Sequence, residues 1–190
     1  TQRVSNDPNR VTLVWWIPTE FWATVLKDNP AVTAEQRTAF TKILDDYLVF
    51  AVISGDVGPM GGFKAKDREM LLAQTEFKTN GKVIAVLKPE EISTDARNFT
   101  SMMKPMLANM LGQFGQGIEF LLYPNPPTGA QKLEATKPGA FTYTAFGRQY
   151  DWKLPLPSLL PTKVDAKTGQ EFPGDYLFNP YTGEKLKVKS

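Results

Sequence analysis

The stretch Tyr47-Leu48-Val49-Phe50-Ala51-Val52-Ile53-Ser54 decides how this chain is read, because it is the longest near-continuous apolar run and is filled with β-branched and aromatic residues. Such a run reads as a central strand covered on both faces. A strand with no polar face needs a layer above it and a layer below. The helical stretch before it, the hairpin after it and the Met-rich helix beyond are assigned as that cover. The expected fold class is therefore α+β, with an antiparallel or mixed sheet centred on residues 47–54 and helices packed on it.

Working outward toward the N-terminus, Val11 to Ile17 reads as a strand ended by Pro18, which suits a helix start because it has no N–H to satisfy. Phe21, Trp22, Val25 and Leu26 fall at helical spacing, and Asp28-Asn29-Pro30 is expected to stop that helix. Thr33-Ala34-Glu35-Gln36 has the form of a capping box and opens a second helix. Its apolar residues Phe40, Ile43 and Leu44 deliver the chain to the central strand, with Asp45 and Asp46 at the helix end. Thr1 to Arg10 reads as a polar leader.

On the other side, Gly55-Asp56-Val57-Gly58-Pro59-Met60-Gly61-Gly62 reads as a flexible loop at the C-terminal end of a strand, where ligands often bind in open sheets. It lacks the Lys-Ser/Thr ending of a phosphate-binding loop, so it is either a binding loop or a mobile connection. Met70–Lys78 and Lys82–Leu87 flank Asn80-Gly81, the strongest short hairpin signal, because both turn positions need positive φ. Leu71, Ala73, Thr75 and Phe77 would then share one face. Ser93 or Thr94 opens a helix to about Gly112, with Pro105 as a kink or restart that Ser101 could cap. Met103, Met106, Leu107, Met110, Leu111 and Phe114 form an apolar stripe directed at the sheet. Ile118 to Tyr123 is a further strand.

Most of the 15 Pro and 14 Gly fall in the later part of the chain, and the Pro-rich run from Pro124 to Gly129 places a boundary there. The expected organisation is an α+β core domain over 1–123 and a Pro-rich extension over 124–190. That extension holds a small hairpin (Ala140 to Ala145 and Gln149 to Leu154, turning near Phe146-Gly147-Arg148) and a patterned tail.

With 22 basic and 20 acidic residues the net charge is +2, and the charges are interspersed, which argues against nucleic acid as a partner. Lys185, Lys187 and Lys189 beside Glu184 read as a solvated tail. Cysteine and histidine are absent, which removes thiolate chemistry, disulfides, the usual zinc sites and every His-based triad. A cysteine-free chain that starts at Thr1 also fits an exported bacterial protein from which a leader was removed, periplasmic or secreted. No apolar segment is long enough to span a bilayer.

The remaining acid and base candidates are Asp56, Glu90 and Glu91, and Glu20, and none has a spaced carboxylate partner. Trp15, Trp16, Trp22 and Trp152 could supply a stacking platform, but Trp15 and Trp16 are adjacent in a strand, so at most one of those two is displayed. Met102, Met103, Met106 and Met110 lie on neighbouring turns, where thioethers could select Cu(I) or simply fill core gaps. Asp165, Asn179 and Asp175 are too few for calcium.

The tail repeats one design: Asp165-Ala166-Lys167-Thr168-Gly169 and Asn179-Pro180-Tyr181-Thr182-Gly183 each read Asx, two residues, Thr, Gly, and the second continues Glu184-Lys185-Leu186. This resembles the double knuckle of a zinc ribbon or rubredoxin-like module, in which each knuckle reads Cys-x-x-Cys-Gly. All four cysteine positions are replaced, by Asp165, Thr168, Asn179 and Thr182, so zinc is not carried over. What the resemblance implies is turn geometry, with side-chain oxygens accepting backbone N–H bonds and Gly169 and Gly183 at positive φ.

Taken together, these residues imply no cofactor and a non-catalytic binding or assembly role in the cell envelope, with a protein or envelope component as partner. The alternatives are an envelope hydrolase using carboxylates near Gly55–Gly62 and a copper-binding protein using the Met face.

Overall fold

The computed structural model describes residues 1–27, 33–126 and 132–189. It opens with β1 (Gln2–Asp7) and β2 (Arg10–Trp16), an antiparallel hairpin in which Gln2 lies opposite Trp15 and Asp7 opposite Arg10. The expected polar leader is therefore mostly strand. An edge strand buries little, so a polar sequence suffices once Pro8-Asn9 turns the chain onto an apolar neighbour. Two helices follow, α1 (Thr19–Lys27) and α2 (Ala34–Leu44). The capping box at α2 forms as expected, with Gln36 N donating to Thr33 Oγ1 at 3.2 Å and Thr33 N to Gln36 Oε1 at 2.9 Å. The stop expected at Asp28-Asn29-Pro30 lies outside the described residues.

β3 (Tyr47–Val57) is the middle of the first sheet. One of its edges pairs with β2. The other is shared by β4 (Phe63–Ala65), opposite residues 55–57, and β7 (Glu119–Pro124), opposite residues 47–52, all antiparallel. Every residue from Leu48 to Ser54 is buried, and the polar member, Ser54, meets Thr12 hydroxyl to hydroxyl at 2.8 Å. A fully buried strand of this kind requires cover on both faces. Val49, Ala51 and Ile53 face Trp22, Leu44, Phe99, Met103 and Leu107 of the helices. Leu48, Phe50 and Val52 face the other way.

That second face meets another sheet, ordered β6-β5-β8-β9, built from β5 (Thr75–Thr79), β6 (Lys82–Ile84), β8 (Gly139–Ala145) and β9 (Arg148–Leu154). Phe50 touches the rings of Phe77, Phe141, Tyr143 and Trp152 there, and Trp16 meets Phe141 edge-on at 4.9 Å. The first unit is thus three layers: helices, the β3 sheet, and the β5–β8 sheet. The α+β class holds.

Three local expectations change. Residues Arg68–Ala73 form α3 rather than the first arm of the hairpin, because Asp67 caps a helical turn through Met70 N at 2.8 Å. Leu71 and Phe77 are both buried but come from a helix and a strand, so the shared face of Leu71, Ala73, Thr75 and Phe77 does not exist. The Asn80-Gly81 turn itself stands, at φ 50° and 73°. Next, α4 (Thr94–Met110) runs through Pro105 as one helix capped by Ser93, with Ser101 inside it. The proline is tolerated because the carbonyl it leaves without an N–H belongs to Ser101, which is exposed to water. Finally, the hairpin at Phe146-Gly147, with positive φ at both residues, is part of the second sheet rather than an appendage. The compact units are accordingly Thr1–Lys132 with Phe141–Trp152, and Leu133–Ala140 with Lys153–Ser190.

The second unit holds β10 (Lys163–Val164), β11 (Glu171–Phe172) and β12 (Lys187–Val188), a small antiparallel sheet in the order β11-β10-β12. Phe172 and Leu186 are its buried apolar residues near the turns.

Candidate functional site

The glycine-rich stretch is a hairpin turn between β3 and β4. Gly55, Asp56 and Val57 are still strand, and Gly58 to Gly62 close the turn with Gly61 N donating to Gly58 O at 2.9 Å and Gly58 N to Gly62 O at 2.8 Å. Gly55 is required by packing, since a Cβ there would lie 2.4 Å from the Phe63 ring. Asp56 accepts a 2.5 Å bond from Lys66. That bond, with the charges of Lys66, Arg10 and Lys64, holds its carboxyl below the ordinary range. A general acid needs the opposite shift.

Three other carboxylates hold structural posts, and Glu90 is exposed. Glu91 accepts from Lys88 N at 2.7 Å, and Glu20 sits in the first turn of α1 beside Pro18, a favourable place for negative charge. Asp45 caps the end of α2 and pairs with Lys132 at 2.9 Å, in line with the expected helix end. All four tryptophans are buried, so none forms a stacking platform; Trp15 and Trp16 face opposite sides as expected, but both sides are covered.

The methionines separate. Met103 is core, whereas Met102, Met106 and Met110 are 54%, 45% and 62% exposed. The buried stripe of α4 is Ala96, Phe99, Met103 and Leu107, narrower than the sequence stripe because the expected Met106 and Met110 lie on its solvent flank. From Asn98 onward every exposed position of α4 is uncharged: Asn98, Ser101, Met102, Pro105, Met106, Asn109 and Met110.

In the tail, the Asp165 carboxylate accepts from Lys167 N at 2.8 Å and Thr168 N at 3.1 Å through one oxygen and from Asn179 Nδ2 at 2.6 Å through the other. Asn179 Oδ1 in turn accepts from Tyr181 N at 2.9 Å. The two turns are matched in their backbones: Gly169 N donates to Asp165 O and Gly183 N to Asn179 O, each at 2.8 Å, with both glycines near φ +73° (72° and 74°). Thr168 and Thr182 Oγ1 accept from Gln170 N at 3.3 Å and Glu184 N at 3.4 Å. Lys167 and Glu184 form an ion pair between the turns. Asp175 is exposed, and among the described residues no group of three or more carboxylates gathers as a metal site.

The bond from Asn179, followed by the two backbone bonds, sets the Asp165 carboxyl below its ordinary value. The unfolded chain therefore takes up the proton first on acidification. The stabilisation is fully present above about pH 4, where the unfolded carboxyl is ionised, and is lost as the pH falls through the lowered folded value. Thermal melts monitored across that range should show the Asp165→Asn variant losing this acid dependence while keeping the rest.

Sequence reading missed two features. Tyr176, Leu177, Phe178 and Tyr181 are exposed on the second unit; their apolar run was visible, but its exposure follows from turns that face them outward. Glu119 also went unnoticed, although its two oxygens meet Arg68 at 3.2 Å and Lys104 at 2.7 Å, because these residues are distant in sequence. Compared with known protein families, with curated proteins and with solved structures, the chain finds no match in any of the three.

Proposed function

We propose that this chain is a non-catalytic binding or assembly protein of the bacterial cell envelope, exported from the cytoplasm, and that the outward side of α4 is its partner-binding surface. The observation that carries this reading is the uncharged exposed row on α4 with its three methionines. Flexible thioether side chains adapt to apolar partners, and exposed apolar patches of this sort mark interaction surfaces. The exposed Tyr176, Leu177, Phe178 and Tyr181 offer a second apolar surface. The absence of cysteine suits an oxidising compartment.

A photo-crosslinking residue at Met106 in the source cell tests the proposal. It should give a discrete protein adduct that a crosslinker at exposed Arg148 does not give. The Met102→Gln, Met106→Gln, Met110→Gln combination should remove at least about ten-fold of partner affinity, and the loss of exposed thioethers should leave the thermal midpoint nearly unchanged. Equal adducts at both positions, or none, would remove α4 as the surface.

Copper binding is the second reading, favoured by the one-turn spacing of Met102, Met106 and Met110 on an accessible ridge. Titration of Cu(I) against a chromophoric chelator, with the triple glutamine variant as control, separates it from protein binding. The hydrolase reading has less support, because Asp56 is held ionised among cations. For the tail we propose a metal-free double knuckle, supported by the matched bonds at Asp165 and Asn179.

A further inference from the structure

A cleft of about 260 Å³ opens beside the outer edge of β7, between α3 and α4. Its floor is apolar, with Ile92, Phe120 and Leu122, and its walls carry Arg68, Arg97 and Lys104 against a single carboxylate, Glu119. Three cations and one anion leave the walls at +2. Both guanidinium groups already have hydrogen-bond partners within the protein. Arg68 Nη1 donates to Glu119 Oε2 at 3.2 Å and to Phe120 O at 3.0 Å, while Arg97 donates to Pro89 O at 2.7 Å and to Thr94 Oγ1 at 3.2 Å. Glu119 also holds Lys104, at 2.7 Å. The carboxylate thus works as a positioning group that splays two cations along one wall and does not neutralise the third.

We infer that this cleft binds a small organic dianion, a compact molecule with two negative charges and a short apolar body. Two guanidinium groups, each tethered by hydrogen bonds to the protein, suit the planar or tetrahedral oxyanions of carboxylate and phosphate groups, and such tethering lowers the ordering cost of binding. The apolar floor takes the carbon skeleton. At about 260 Å³ the cleft lies below the roughly 300–1,000 Å³ of drug-sized sites, so the ligand is metabolite-sized. The hydroxyls of Thr100 and Ser101 line the same wall. This site lies across α4 from the methionine ridge and shares only Ser101 with the uncharged exposed row, so binding of a dianion here is tested separately from the partner-binding proposal.

Isothermal titration calorimetry with succinate, inorganic phosphate and butyrate tests the inference on the whole chain. Saturable binding of succinate or phosphate, weakened by added salt and by about ten-fold or more in Arg97→Gln, supports it, and the tighter of the two dianions identifies the head group. Because Arg97→Gln also removes contacts to Pro89 and Thr94, a second variant, Ser101→Glu, places a negative charge at the wall without deleting any of the bonds above. It should weaken binding by a similar factor with an unchanged circular dichroism spectrum. No saturable heat with either dianion, binding of butyrate as tight as succinate, or full affinity retained in both variants would overturn the assignment.

Discussion

Phe50→Ala is expected to cost about 3–5 kcal/mol of folding stability, the range for emptying a buried aromatic site that cannot collapse. Phe50 is fully buried, and its ring sits at the meeting point of the two sheets. It stacks on Tyr143 at 4.6 Å and meets Phe77, Tyr123, Phe141 and Trp152 at centroid distances of 5.4, 5.6, 5.8 and 6.3 Å. Both backbones flanking the cavity are sheet, so neither can move in to fill it. Domains are stable by only about 5–15 kcal/mol, so the variant should lie close to the edge of folding. Urea unfolding followed by tryptophan fluorescence measures the loss. Phe50→Leu, which keeps much of the volume, should cost about 1–2 kcal/mol, and Val4→Ala, on the exposed edge strand, close to nothing. A loss below about 1 kcal/mol for Phe50→Ala would contradict two-sided burial of β3.

The second large effect concerns the tail. In Asn179→Ala, the Tyr181 N–H loses its acceptor and the turn loses its bond to the other turn, a change of about 1–3 kcal/mol in the second unit. The combination Asp165→Cys, Thr168→Cys, Asn179→Cys, Thr182→Cys is the more demanding test. If the two turns have knuckle geometry, four thiolates will converge and take up one zinc ion per chain, with apparent binding of about 10–16 kcal/mol at neutral pH. Native mass spectrometry under reducing conditions counts the metal, and a chelator should reverse the gain in thermal midpoint. A variant that binds no zinc, or binds it without stabilisation, would show that the turns lack that geometry and share only a sequence spacing with metal knuckles.

The central strand, the capped α2 and both positive-φ hairpins were legible because each depends on local residue chemistry: a run with no polar face, Thr33 three before Gln36, and Asn80-Gly81 or Phe146-Gly147 at a turn. Adjacent Trp15 and Trp16 told which faces they would take, but not that both faces would be covered, since Trp16 is covered by Phe141, more than a hundred positions away, even though Trp15 meets nearby Phe21. Met70 to Ala73 is four apolar residues in a row, which fits a strand or a helical turn equally well, and Asp67 decides between them. The Asp165–Asn179 bond realised a spacing seen in the sequence. The ring of Arg68, Lys104 and Glu119 had no such spacing to show, being assembled from α3, α4 and β7.

The second sheet is drawn from two distant parts of the chain, Thr75–Ile84 and Gly139–Leu154, with α4 and β7 between them. During synthesis the helical side of β3 can close as soon as β7 has emerged from the ribosome. Its aromatic side waits for the last hairpin, leaving Phe50 and Trp16 open to water or to a chaperone in the interim. A nascent chain halted shortly after β7 therefore presents a greasy sheet with a finished back and an unfinished front, and its release before Trp152 favours aggregation over folding.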